Sequence, residues 1–342
     1  MFSRLKSLFQ AAAPVPPEPV TPAPDTVCAV GIEPFDVGAA RVVVQGLPVL
    51  DWQAVHAWVN RIPDASEQAR AWAACEQAWL AHLRDALGPG YRLQQAGGAL
   101  LLSSLSRPVA EATLAFVNKT LQRVLRTLDG LAETPAWGHD ILIVFDDDDT
   151  YYRYVSRYYA GDGEFAASGG MHIDDGCGHF VTVAADLHAI EPVIAHELTH
   201  ACLGHLPIPL WLNEGLAVNT EQRLTPRPRA PVDPRLLHER HLAFWGVAQV
   251  QQFWSGQSFL RNDEGNELSY DLARLLVAEF AADWPRFRDF ARHALAADGG
   301  AAAAAEHLGI DLGAAVSAVM QKSPDAGWAP RPSGWVSAAP TA

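Results

Sequence analysis

The pentapeptide His196-Glu197-Leu198-Thr199-His200 most limits how this chain can fold, because it sets two imidazoles and a carboxylate in one apolar run. Pro192-Val193-Ile194-Ala195 precedes it, and the whole stretch suits a helix. Residues four apart on a helix share a face, so His196 and His200 can aim ring nitrogens at one ion about 2 Å away. Glu197 lies about 100° around the helix from His196. There it can flank the ion without ligating it and accept a proton from a water. A string of five residues also arises by chance, so its context decides.

That context is Trp211-Leu212-Asn213-Glu214-Gly215-Leu216-Ala217, a second helical pattern. A catalytic zinc takes three protein ligands and keeps one position open. Glu214, 14 residues after His200, is the candidate third ligand. Gly204 is expected to stop the first helix, and Pro207 and Pro209 to stiffen a turn before a new helix begins near Leu210. Apolar neighbours on both sides place Glu214 in partly buried surroundings, where a carboxylate is costly unless paired or coordinated. The expectation is one Zn2+ per chain on His196, His200 and Glu214.

The two segments resemble the gluzincin zinc metallopeptidases, most closely their compact peptidase MA-like group. The likeness covers about Ile141 to Phe290 and is strong only over the two helices. It implies a zincin-like fold, zinc on the three named ligands, and Glu197 as catalytic base. In aminopeptidase-type members a Gly-x-Met-Glu-Asn strand pairs with substrate; here Gly169-Gly170-Met171 is followed by His172-Ile173, so the amine-gripping carboxylate is missing. A plain Gly-rich turn before a strand is the other reading. Related enzymes also use a downstream tyrosine as oxyanion donor. Tyr270, 56 residues after Glu214, is the matching candidate, or else a residue packed at a helix start. Many gluzincins carry Asp four residues after the ligand Glu; Val218 stands there, leaving Asn213, Asn219, Glu221 or acidic loops to orient the ligands. Metzincins would need Gly at 203 and His at 206, but those positions are Leu203 and Leu206. His205, the rival ligand, reads as a helix C-terminal histidine.

At 342 residues and 49% hydrophobic, the chain is long enough for a full core. A net charge of −14 disfavours nucleic acid as a partner. Cys28, Cys75, Cys177 and Cys202 are widely spaced and suggest neither a zinc knuckle nor a disulfide framework. Met1 to Phe9 is basic and amphipathic without a signal-peptide core, and no segment resembles a membrane span. A cytoplasmic location without stable membrane insertion is the default expectation.

Residues 1–25 read as a disordered start and Pro-rich linker, 26–98 as a mainly helical region, 99–320 as the zincin-like domain and 321–342 as a flexible tail. Asp51 and Asp64 (or Ser66) are candidate N-caps for helices packed through Trp52, Trp58, Trp72 and Trp79. Strands are expected within Tyr91–Ser104, over Asp140–Phe145 and within Phe165–Ala184, and helices over Arg107–Leu128 and after the motif. The acidic run Asp146 to Asp149 reads as a strand end and helix cap rather than a calcium loop. His172, His179 and His188 lack ligand spacing and read either as residues that support the ligands from behind or as ordinary ones. The fold class is therefore α+β, a small mixed sheet over a zinc-binding helix pair with a mainly helical C-terminal half. The expected function is zinc-dependent hydrolysis of a peptide or protein substrate, most simply as an endopeptidase. The alternative is a zinc-stabilised, catalytically silent peptide-binding or regulatory protein.

Overall fold

The computed structural model describes residues 21–335 apart from 136, 159–169, 174, 185–189, 227–232 and 324. The amphipathic segment Met1 to Phe9, read as part of a disordered start, His188 and the last seven residues lie outside these. Two small hairpins come first, β1 (Thr26–Val27) with β2 (Phe35–Asp36), and β3 (Arg41–Val44) with β4 (Leu47–Leu50). The second closes through Gln45-Gly46, both at positive φ, the two-residue turn whose twist suits a hairpin. Helices α1 (Trp52–Val59) and α2 (Ala65–Leu87) follow, capped by Asp51 and Asp64. The region expected to be mainly helical thus also carries four short strands ahead of α1, too brief to leave an alternating pattern in sequence.

The main sheet has five strands in the order β5-β6-β7-β9-β8: β5 (Arg92–Ala96), β6 (Ala99–Ser103), β7 (Asp140–Phe145), β8 (Gly170–Ile173) and β9 (His179–Val183). β6, β7 and β9 run parallel, and β5 and β8 are antiparallel edges. Helix α3 (Arg107–Thr127) makes the crossover from β6 to β7. Asp147 caps α4 (Asp148–Val155) by accepting from Thr150 N, as the acidic run suggested.

Side chains alternate across a strand, and here the alternation divides two cores. Leu100, Leu102, Ile141, Ile143, Phe145, Val181 and Val183 face α1, α2 and the small hairpins. Ala99, Leu101, Leu142, Val144 and Phe180 face α3 and the C-terminal helices. Residues 26–98 therefore share a core with the sheet. The tryptophans contribute as expected: Trp52 lies 5.3 Å from Trp72 and 5.6 Å from Trp79, while Trp58 packs on Phe35. His179 is buried, and its Nδ1 and Nε2 are both 2.7 Å from partners, Cys177 O and Tyr154 Oη. Burial pushes its pKa down to about 3, so it is a neutral core histidine.

The helical half contains α5 (Ile190–Leu203), α6 (Leu210–Leu224), α7 (Pro234–Phe244), α8 (Val247–Trp254), α9 (Glu264–Phe280) and α10 (Trp284–His293). The segment read as a flexible tail is packed over Ala326–Gly334. Trp328 is buried, and its carbonyl accepts from Trp254 Nε1 at 2.8 Å. Low-complexity composition hid a tryptophan anchor.

Helix α6 packs against both α5 and α9, and Gly215 permits the second contact. A Cβ there would lie 2.6 Å from Ala273 O and 2.6 Å from Val277 Cγ2. Backbone cannot yield as a flexible side chain does, so Gly215→Ala must separate the helices. We expect this change to cost about 1–3 kcal/mol in urea unfolding, the range for overpacking; an unchanged midpoint would show that the α6–α9 contact is loose.

Candidate metal centre

The site is built on an α-helical hairpin. Helix α5 buries Ile194, Ala195, Leu198, Thr199 and Cys202 on one side. His196, Glu197 and His200 fall on the other. The helix ends at Leu203, immediately before Gly204, and α6 starts at Leu210 after Pro209. Trp211, Leu212 and Leu216 anchor α6 in the core and leave Asn213, Glu214 and Glu221 along the α5 side.

His196, His200 and Glu214 form the one group of three or more potential metal-ligating residues among the described residues, with ligand atoms all within 4.8 Å of one another. Glu214 Oε2 is 3.2 Å from His196 Nε2 and 3.5 Å from His200 Nε2. It is nevertheless a buried oxygen with no hydrogen bond. The opposite ring nitrogens are engaged elsewhere: His196 Nδ1 lies 3.3 Å from Glu221 Oε2, and His200 Nδ1 lies 3.0 Å from Asn213 Oδ1. Both partners are acceptors, so a neutral imidazole that keeps its proton on Nδ1 would turn its Nε2 lone pair toward Glu214. Two lone pairs and a carboxylate oxygen converging in a mostly buried place repel one another unless a cation or protons stand between them. The donor set, two nitrogens and one oxygen, fits a transition-metal ion such as zinc.

The electrostatics agree. Burial works against a charge on His196, but Glu214, Glu221 and Glu197 outweigh it and push its pKa up to about 10. His200 moves up as well, burial again being outweighed by Glu214. Burial raises Glu214, whereas the two imidazoles hold it down to about 2. The negative field that binds protons so tightly is the field that would bind a dication.

Glu197 stands beside the ligand group, its side chain 21% exposed, and His172 Nδ1 is 3.6 Å from its Oε2. Tyr270, in the second turn of α9 rather than at its start, has its ring centroid 6.5 Å from that of His196. Burial and the charges of Glu214 and Glu197 keep its hydroxyl protonated. His205 is outside the group, with Nε2 3.7 Å from Glu133 Oε1. Of the possible orienting residues, Asn213 and Glu221 take the role. Asn219 instead donates to Gly215 O and Arg274 O. Glu221 is two turns beyond Glu214 on the same helix face, so its longer side chain reaches where Val218 supplies no acceptor. Cys202 is fully buried, and burial pushes its thiol up to about 12, consistent with a core residue. Sequence reasoning missed the pairing of His172 with Glu197, which joins residues on separate elements with no local signal.

The sequence matches no protein-family profile and no curated protein. Among the described residues no helix is long and apolar enough to cross a membrane.

Asn213→Ala and Glu221→Ala should each weaken zinc binding about 10–100-fold, the usual consequence of losing a ligand's hydrogen-bond partner. Competition with a chromophoric chelator would measure it. Unaltered affinity in both variants would mean that the imidazoles are oriented by packing alone.

Proposed function

We propose that this chain is a zinc-dependent peptidase of the gluzincin type, with a zincin-like architecture in its C-terminal part. The observation that carries the reading is the division of labour around one point. Three donors converge on a place for an ion, while Glu197 stands next to them, partly exposed and outside the set. A purely structural site has no use for that fourth group.

His196, His200 and Glu214 would hold the metal. When bound, zinc would supply Lewis acidity toward the scissile carbonyl and make a neighbouring water acidic enough to lose a proton near neutral pH. Glu197 takes that proton and carries it to the departing amine. Tyr270, kept protonated by its surroundings, offers a hydroxyl for the oxygen that gains negative charge. Asn213 and Glu221 hold the imidazoles in the tautomer that ligation needs. His172, in place of a carboxylate, removes the grip on a free amino terminus and favours cleavage within a peptide over removal of its first residue.

The test is a peptide library digested by wild type and by Glu197→Gln, with zinc measured in both. We expect equal zinc, about one ion per chain, and turnover lower by about 10²–10⁴-fold in the variant, the range for removing a general base. Cleavage that is undiminished in Glu197→Gln would sink the mechanism. Equal zinc with no cleavage by wild type would favour a silent, zinc-stabilised peptide-binding protein.

A further inference from the structure

Glu197 has the task that depends most on aim, yet it sits on a partly exposed helix face. It makes no hydrogen bond to another described side chain, and its one ion-pair neighbour among the described residues is His172. A glutamate side chain has three torsions, so an untethered carboxylate spreads over several rotamers and loses entropy each time it is aimed. A misplacement of about 1 Å at a reacting group costs on the order of 100-fold in rate.

His172 is well placed to supply the missing restraint. It lies on the edge strand β8, on the α5 side of the sheet, with its ring centroid 5.1 Å from that of Phe180. Two residues earlier, Gly170 presses this strand against the start of α5. A Cβ at 170 would lie 2.9 Å from Val181 O and 3.0 Å from Ile190 Cδ1. That close approach sets the distance from β8 to α5 and so the distance from His172 to Glu197. The Nδ1–Oε2 separation of 3.6 Å is an ion-pair distance rather than a hydrogen bond. Rotation about the broad terminal torsion of the glutamate can close it.

We propose that His172 is a positioning residue for Glu197, holding Oε2 and so fixing the carboxylate beside His196, His200 and Glu214. The inference rests on the proposed reading of the centre, with Glu197 as base. A carboxylate at position 172 would face Glu197 with like charge; the imidazole faces it with a donor. The restraint therefore belongs to this sequence's departure from the amine-gripping pattern.

The probe is acetohydroxamate, which chelates zinc and gives up a proton to a neighbouring carboxylate, titrated into the zinc-loaded full chain. His172→Phe keeps a ring against Phe180 and removes the donor. His172→Asn removes the ring but returns an amide N–H near the place of Nδ1. We expect equal zinc content in all variants and affinity about tenfold weaker in His172→Phe. His172→Asn should recover to within about threefold of wild type, and the phenylalanine should have no further effect in a Glu197→Gln background. With a cleavable peptide, His172→Phe should lower kcat and leave KM unchanged. Wild-type affinity in His172→Phe, or an equal loss with and without Glu197, would overturn the proposal while leaving the catalytic reading intact. A zinc-loaded wild type that does not bind acetohydroxamate would overturn the catalytic reading, and the role of His172 with it.

Discussion

A carboxylate confined between two imidazoles is the interaction on which the rest of this structure turns. Glu214 is 8% exposed, and its Oε2 makes no hydrogen bond. Burying such a group uncompensated costs several kcal/mol. The surrounding fold makes sense as the means of holding that carboxylate where a cation can compensate it. The α5–α6 hairpin brings it within 3.5 Å of both Nε2 atoms, and Glu221 and Asn213 fix the rings from behind. Gly215, the residue next to Glu214, lets α9 approach and carries Tyr270 to the same place. One glycine thus couples the helix bearing the candidate third ligand to the helix bearing a candidate oxyanion donor.

The sheet has a second role besides its core. Its α1–α2 face is covered by the N-terminal region, so that region acts as support for the strands. Its other face receives α3 and α5. The edge strand β8 is the point at which the sheet meets α5, through Gly170 against Ile190 and His172 against Glu197. Covering one face of the sheet stiffens it, and a stiff edge can hold a side chain to the few tenths of an ångström that proton transfer requires.

What the sequence revealed follows from the range of each signal. Histidines four apart on an apolar run dictate one helix face, and Gly204 with Pro207 and Pro209 dictates a turn, so the convergence of His196, His200 and Glu214 was readable from local rules. Asp51, Asp64 and Asp147 cap helices by an equally local rule. Glu221 was one of several candidates named beside Asn213 and Asn219, and only the side-chain contacts single it out. His172 was unreadable as a partner of Glu197, because only the antiparallel register of β8 on β9 and the packing of Gly170 bring them together. The packed segment around Trp328 was missed for the opposite reason: its composition resembles a linker, and one buried tryptophan outweighs its neighbours.

Charge provides the last step. Glu197, Glu214 and Glu221 surround two imidazoles that, ready to ligate, are neutral. The negative charge of the three carboxylates outweighs the burial of His196 and pushes its pKa up to about 10. A dication would balance two of them and release the protons. Glu214 would meet the ion directly, and Glu221, accepting from the Nδ1–H of His196, would make that imidazole a better donor. Glu197 would be the carboxylate left over, outside the ligand group and partly open to solvent. Binding of the ion and retention of a free base are in this sense one electrostatic arrangement. An imidazole at His172 lies against the remaining negative charge without removing it.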